Sequence, residues 1–273
     1  MLKNILLGAV CFQEYSNGYL DFVEFAASLG LEWVEFKYEL PLSEHSNSKK
    51  YNEIRKRADL LGIGLSMHTA FDGLNIASID LEERLSSIGK VKESIEAASK
   101  MEITHATLHA GHLMSNQYSV KNWKNSVNYN TESIKELVSF AGKLGLTLCL
   151  ENGNAFKRAS LKHGLFPGDL KYIRENVGKD LKFTIDFGHA IYLSRDPSFL
   201  VSELGLENVK LSHLHSNSGL VDSHSTLDTG VLNIENILKN YSNEKWTFPL
   251  SIEMKSEENL RKSLKFVREL INR

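Results

Sequence analysis

One short stretch of the chain is crowded with residues that bind divalent metals. His213, His215, Asp222 and His224 all lie between Leu211 and His224. Imidazole nitrogens and carboxylate oxygens suit zinc, manganese or iron, whereas a cysteine-rich structural site would supply thiolates as ligands. We therefore interpret this stretch as part of a divalent-metal site and expect its remaining ligands elsewhere in the chain.

The stretch starts at the end of a predicted strand. Residues 209–213 form an apolar run of strand length, and a loop rich in serine, asparagine and glycine follows. Seven similar runs are predicted as strands, at residues 4–10, 31–36, 63–67, 103–108, 146–150, 181–185 and 248–252. Apolar strands that alternate with helices favour a parallel sheet. Eight such units in 273 residues predict an α/β fold, a single (β/α)8 TIM barrel domain over residues 1–273.

The predicted joints between helices and strands repeat. Leu29-Gly30-Leu31, Leu61-Gly62-Ile63 and Leu144-Gly145-Leu146 each place a glycine where a helix needs a left-handed residue before the chain turns into a strand. Three uses of one joint imply a repeated β–α unit. Asp80-Leu-Glu-Glu83 is typical of a capping box at the start of a helix.

In a barrel of this kind, chemistry takes place at the carboxyl ends of the strands. Six of the eight predicted strand ends carry a metal-type ligand, and two of the loops that follow them carry more. The ligands at the strand ends are His68, His109, Glu151, Asp186, His215 and Glu253, and those in the loops are His189, Asp222 and His224. Any one of them could be an ordinary structural residue. Their joint occurrence at equivalent places predicts a metal site.

Other polar residues near the strand ends are candidates for contact with a substrate. They are Glu35, His112, His213 and Asn217. His213 shares a strand face with His215, so it is also a candidate for orienting that ligand.

Further histidines and aromatic residues have simpler interpretations. His105 is predicted in the core or at the barrel floor, and His45 and His163 are predicted at the surface. Three aromatic residues could form a pocket wall against a sugar, although core packing explains each more simply: Trp33, Phe71 and Trp123.

The composition narrows the classes of protein. With 42% hydrophobic and 24% charged residues and a net charge of −2, the chain is typical of a globular protein without a bulk basic field for nucleic acid. Cys11 and Cys149 form no CxxC pair, which favours reduced thiols in a cytoplasmic protein. The start of the chain lacks a signal-peptide pattern, and no apolar run approaches the roughly 20 residues that span a membrane.

Three motifs resemble the xylose isomerase-like TIM barrel superfamily, and the resemblance covers essentially the whole chain. This superfamily includes sugar isomerases, ketose 3-epimerases and sugar phosphate isomerase/epimerase homologues. It also includes endonuclease IV, which represents AP endonuclease family 2. The motifs are Leu150-Glu151-Asn152, Ile185-Asp186-Phe187-Gly188-His189-Ala190, and His215-x-Asn217 followed by Asp222-x-His224.

The resemblance implies specific ligand sets. In the epimerases a single metal ion, such as manganese, is held by a set that falls on Glu151, Asp186, His215 and Glu253. The two glutamates of this set, Glu151 and Glu253, would also be the catalytic acid/base pair. In the endonucleases nine residues hold three zinc ions. The ligands of the first zinc ion fall on His68, His109 and Glu151, and those of the second fall on the epimerase set. The ligands of the third zinc ion fall on His189, Asp222 and His224.

Two functions follow from these sets, and they stay open. Our first hypothesis is an isomerase or epimerase of a small sugar or sugar phosphate. The alternative is an endonuclease IV-like zinc-dependent hydrolase at abasic sites in DNA, which the five additional ligands favour because several metal ions can clamp a phosphate. The first hypothesis is favoured by the short loop before Asp222 and by the lack of an arginine and aromatic wedge for duplex DNA. A non-catalytic metal-binding barrel is a third possibility. The presence of both Glu151 and Glu253, the implied acid/base pair, argues against it.

Overall fold

Eight parallel strands close into a barrel within the part of the chain that the computed structural model describes, which is residues 5–12, 14, 17–38, 48–155 and 159–273. The barrel strands are β1 (Leu7–Cys11), β2 (Trp33–Lys37), β3 (Gly64–His68), β4 (His105–His109), β6 (Thr147–Glu151), β8 (Lys182–Asp186), β9 (Val209–Leu214) and β10 (Leu250–Ile252). Their order around the barrel is β1-β10-β9-β8-β6-β4-β3-β2. The predicted fold class, a (β/α)8 TIM barrel, is confirmed.

Amphipathic helices follow the strands along the described chain. They are α1 (Tyr19–Ser28), α2 (Ser48–Leu61), α3 (Leu81–Lys100), α4 (Val120–Lys143), α5 (Pro167–Val177), α6 (Phe199–Leu204), α7 (Ile234–Asn243) and α8 (Glu257–Ile271). The Asp80 carboxylate accepts a hydrogen bond from the Glu83 amide at 2.9 Å, so α3 begins where the capping pattern predicts. Among the helices of the described residues, none combines the length and apolar composition that crossing a membrane requires.

The three predicted glycine joints have the predicted backbone. Gly30, Gly62 and Gly145 have φ angles of 65°, 69° and 74°. At the third joint, the Leu146 amide donates to the Ala141 carbonyl at 3.0 Å and the Gly145 amide donates to the Gly142 carbonyl at 3.2 Å. These bonds satisfy the last carbonyls of the helix while the chain reverses into β6.

Two more joints use the same geometry without glycine. Glu102 and Lys245 both have a φ of 55°. The amide of the next residue again donates back into the helix, from Ile103 to Ala98 and from Trp246 to Tyr241, at 3.0 Å in each case. The sequence does not reveal these joints because the usual signal, a glycine, is missing.

Polar side chains fill the barrel interior and lead toward the carboxyl ends of the strands. Ser66 Oγ donates to Glu35 Oε2 at 2.9 Å, and the hydroxyls of Thr107 and Thr184 lie 3.0 Å apart. Side chains alternate along a strand, so the residue two positions on from each of these also faces inward. Those next residues are Lys37, His68, His109 and Asp186.

A small sheet that the sequence does not predict lies beyond the barrel strands. In it, β5 (His112–Met114) pairs in antiparallel fashion with β7 (Ser160–Lys162). Both strands have three residues, which is too short for hydrophobic periodicity to reveal. They follow β4 and β6, so this sheet extends from two strands whose last residues, His109 and Glu151, are predicted ligands.

The joint at Gly145 offers a matched test of the backbone argument. Gly145→Ala should lower the free energy of unfolding by about 1–2 kcal/mol, because a Cβ disfavours its left-handed conformation. Gly142→Ala, three residues earlier within α4, should instead raise it by about 0.5 kcal/mol, because alanine is the better helix former and open space surrounds that position. Urea unfolding of both variants measures the difference. Equal effects of the same sign would contradict this account.

Candidate metal centre

The barrel brings all nine predicted ligands together at the carboxyl ends of its strands. Within each of four sets, the possible ligand atoms lie within 4.8 Å of one another. One set, Glu151, Asp186 and His213, includes a residue that is not a predicted ligand. The other three are the first donor group (His68, His109 and Glu151), the central donor group (Asp186, His215 and Glu253) and the outer donor group (His189, His215, Asp222 and His224). His215 belongs to two of them, so the central and outer donor groups are contiguous.

Strand register places the first donor group. His109 and Glu151 are paired residues at the ends of β4 and β6. Glu151 Oε2 lies 2.5 Å from His109 Nε2 and 3.4 Å from His68 Nε2, and the two imidazole nitrogens are 3.1 Å apart. Despite this crowding, Glu151 Oε2 is buried and accepts no hydrogen bond. Three atoms with lone pairs therefore converge on one point.

Backbone carbonyls orient four of the histidines in the same way. The Nδ1 atom lies near a carbonyl oxygen in each, which leaves Nε2 directed at a donor group. The pairs are His68 with Thr69 at 2.9 Å, His189 with Asn152 at 3.1 Å, His215 with Ser216 at 3.5 Å and His224 with Glu253 at 3.3 Å. When the ring is neutral and Nδ1–H donates to the carbonyl, Nε2 presents a lone pair, which is the tautomer that metal binding requires.

The outer donor group depends on an amide clamp. Asn154 Nδ2 donates to Asp222 Oδ2 at 2.8 Å, and Asn154 Oδ1 accepts from Lys162 Nζ at 3.0 Å. The other oxygen, Asp222 Oδ1, is buried without a hydrogen bond and lies 3.6 Å from His224 Nε2. His224 itself adopts a left-handed backbone with a φ of 47°.

The glycine of the Asp186-Phe-Gly-His189 motif makes room for His215. An added Cβ at Gly188 would overlap the His215 ring. The same turn allows the His189 amide to donate to Asp186 Oδ1 at 2.7 Å. Close approach of the backbone to an imidazole therefore explains why this position carries glycine.

A buried pair lies beneath the donor groups. His213 Nε2 is 2.7 Å from Glu35 Oε1, and His213 Nδ1 is 3.1 Å from Glu151 Oε1. Both Glu35 and His213 are fully buried and do not line the cavity described below. Their position argues against contact with a substrate. It places His213 where it orients Glu151, so that Oε2 is the oxygen presented to the first donor group.

Lys37 lies at the end of β2 and completes the central region. Its Nζ is 2.8 Å from Glu253 Oε1 and 4.0 Å from the centre of the Phe12 ring. No sequence pattern predicts this contact, since a lysine at a strand end is usually exposed. Like Asn154 and Lys162, it is a residue of the site that only the structure reveals.

Electrostatic partners keep the two glutamates charged. Burial opposes ionisation of Glu151, but His109 and His213 outweigh burial and hold the pKa of Glu151 well below its usual range. Burial also opposes ionisation of Glu253, where Lys37 is the largest opposing influence and the pKa again falls well below its usual range. Both side chains are therefore carboxylates at neutral pH.

The donor groups open into a cavity of about 730 Å³. Phe71 forms part of its wall, with its ring centre 4.6 Å from that of His68. His112 also lines the cavity, as predicted for a substrate contact. Asn217 does not, because its amide donates to the Gly188 carbonyl and its Oδ1 accepts from the Gly219 amide, which stabilises the loop.

The remaining histidine and tryptophan interpretations have mixed outcomes. The prediction that His163 lies at the surface is wrong: only 6% of it is exposed, its Nε2 is 2.8 Å from Ser126 Oγ, and the ring packs on Trp123. His105 is half-buried at the opposite end of β4 from the donor groups. Trp33 donates to Ser66 within the barrel and does not line the cavity. His45 lies outside the described residues.

The arrangement fits divalent metal ions. Two buried carboxylate oxygens, Glu151 Oε2 and Asp222 Oδ1, have no hydrogen-bond donor and lie among imidazole nitrogens. A buried charged oxygen without a partner is costly, and a cation at each group would satisfy it. Imidazole and carboxylate together suit zinc or manganese.

Comparison with known proteins establishes the family. A family model for the xylose isomerase-like TIM barrel matches residues 23–270, so the chain belongs to this family. The chain is 25% identical over 232 residues to the uncharacterized protein MJ1311 of Methanocaldococcus jannaschii, covering 82% of this chain and 75% of the relative.

Solved structures share the fold across nearly the whole chain. A D-tagatose 3-epimerase-like protein superposes with a TM-score of 0.84 at 22% identity, covering 98% of this chain and 97% of the other. D-psicose 3-epimerase from Clostridium cellulolyticum H10, solved with D-tagatose, has a TM-score of 0.77 at 15% identity and covers 98% and 99%. At these identities the similarity shows the fold.

The number of donor groups predicts the metal content. We expect wild-type protein to bind up to three zinc ions per chain and His224→Ala to bind one fewer, because the outer donor group loses a nitrogen. The matched control is His105→Ala, which removes a histidine outside all three groups and should leave the content unchanged. Native mass spectrometry after zinc loading counts the ions. One ion per chain in all three proteins would contradict the trinuclear interpretation.

Metal affinity should rise with pH. Burial lowers the pKa of His189, but Asp186 and Asp222 outweigh burial and raise it to about 10 in the metal-free protein. The ring is therefore protonated at pH 7 and must lose a proton to bind metal. We expect zinc affinity to increase about tenfold per pH unit between pH 6 and 8 for each proton displaced.

Calorimetry at one pH in two buffers of different ionisation enthalpy checks this proton release. A heat of zinc binding that does not depend on the buffer would show that no proton leaves, and would contradict the raised pKa of His189.

Proposed function

We propose that the protein is a divalent-metal-dependent isomerase or epimerase that acts on a small sugar or sugar phosphate. One observation carries the proposal. Glu151 and Glu253 both line the same cavity, and their carboxylates approach the same nitrogen, His213 Nδ1, at 3.1 and 3.6 Å. Two ionised carboxylates are thus fixed close together, facing one small-molecule site.

The two carboxylates have different partners. Oε1 of Glu151 lies 3.1 Å from His213 Nδ1, and Oε2 accepts no hydrogen bond. When no metal ion occupies the first donor group, Oε2 can accept a proton from a carbon next to a carbonyl. Glu253 is fixed by Lys37, which also places a positive charge beside the substrate. Asp186 and His215, with the two glutamates, would hold a metal ion, which when bound polarises the carbonyl oxygen.

The cavity supports a small substrate. Its volume of about 730 Å³ is within the range of small-molecule sites, and Phe12 and Phe71 offer apolar surfaces to a sugar ring. Structural neighbours that are named epimerases have the same fold, which is consistent with this chemistry.

A phosphodiester hydrolase of the endonuclease IV type is the second candidate. The observation that favours it is that the first and outer donor groups form beside the central one. Proton transfer next to a carbonyl needs one metal ion, whereas in-line attack on a phosphodiester uses several ions to clamp the phosphate and supply hydroxide.

Exchange of substrate hydrogen with solvent tests the proposal. Zinc- or manganese-loaded protein should introduce deuterium next to the carbonyl of a ketose or ketose phosphate in D2O, followed by NMR. Glu151→Gln and Glu253→Gln should each reduce this exchange at least 1000-fold, on the order of 4 kcal/mol in the barrier, because an amide cannot accept the proton. Glu175→Gln, on the exposed side of α5, is the matched control and should retain full exchange.

Incision of a duplex that carries a synthetic abasic site separates the two candidates. Incision without deuterium exchange in any ketose would replace the first candidate with the second. Full exchange activity in Glu151→Gln that still binds metal would refute the assigned site under either candidate.

A further inference from the structure

The β5–β7 sheet presents polar side chains to the cavity. His112 and Lys162 are directly paired across the two strands, and Ser160 lies two residues before Lys162. Paired residues and residues two apart in a strand share one face of a sheet. All three line the cavity, so this face directs an imidazole, a hydroxyl and an ammonium into it.

Buried amides fix this face. Asn75 Oδ1 accepts from the His112 amide at 3.0 Å, and Asn75 Nδ2 donates to the His112 carbonyl at 2.9 Å. On the other strand, Lys162 Nζ donates to Asn154 Oδ1, and Asn154 also holds Asp222. The positive charge of Lys162 is therefore positioned by the same side chain that positions the outer donor group.

The sheet lies beside the proposed reaction site. His112 is three residues after His109, so the two Cα atoms are separated by at most about 10 Å. An extended six-carbon chain together with a terminal phosphate is of comparable length. Asp72 and Glu83 also line the cavity but belong to the segment after β3. Lys162 is the lysine that the β5–β7 side contributes, whereas Lys37 and Lys255 line the cavity from other elements, and Lys37 is paired with Glu253.

We propose that His112, Ser160 and Lys162 form a subsite for the phosphate group of the substrate. Three donors of different length on a rigid face suit a tetrahedral group with several acceptor oxygens. The inference rests on the proposed function and narrows it, because it assigns the substrate to phosphorylated sugars.

Binding of D-fructose 6-phosphate and D-fructose to the zinc-loaded protein, measured by calorimetry, tests the subsite. Wild-type protein should bind the phosphorylated ketose at least tenfold more tightly. Lys162→Gln should remove that preference, and Lys162→Arg should restore most of it. Zinc content of each variant shows whether the outer donor group is intact.

Lys255→Gln is the matched control, because Lys255 also lines the cavity but does not belong to the β5–β7 sheet. It should retain the preference. The subsite is overturned if wild-type protein binds both ketoses alike or binds neither, or if the preference survives Lys162→Gln or is lost in Lys255→Gln. These measurements need no turnover, so failure of the deuterium exchange with an intact phosphate preference would reject the isomerase and leave the subsite standing.

Discussion

The site depends on the concentration of negative charge at the mouth of the barrel. Four carboxylates are nearly or fully buried there, so bulk water solvates them poorly: Glu35, Glu151, Asp186 and Glu253. Buried charges persist only with partners of opposite sign. His213 and Lys37 supply part of that charge from below and from the side. The oxygens that still lack a donor face the imidazole nitrogens, which is where divalent ions would complete the balance.

Much of the fold could be predicted because the β–α unit repeats, but the apolar pattern ends seven of the eight barrel strands one residue early. The apolar pattern stops at residues 108, 150 and 185, whereas the strands continue to His109, Glu151 and Asp186. A hydropathy pattern leaves a polar residue out of the predicted strand even when its backbone still pairs with the neighbouring strand, as that of His109 does with Glu151. These three ligands, like His68, are therefore the last residues of their strands and are held by the barrel ladder rather than by loops.

The donor residues could be predicted from the sequence because each has a metal-type side chain at an equivalent place in successive units. Their supporting residues could not. Lys37 meets Glu253, and Lys162 meets Asp222 through Asn154, only because distant parts of the chain fold together. The wrong placement of His163 has the same cause, since the residues that bury its ring, Ser126 and Trp123, lie far from it in the sequence.

The left-handed backbone of His224 has a consequence for redesign of this barrel. Among the described residues other than glycine, Glu102 and Lys245 share this left-handed conformation. Both lie at joints where a helix turns into a strand, whereas His224 belongs to the outer donor group through its imidazole. Glycine at position 224 would relax the backbone and remove the nitrogen in the same step. A procedure that optimised the fold alone would therefore select against the imidazole at this position.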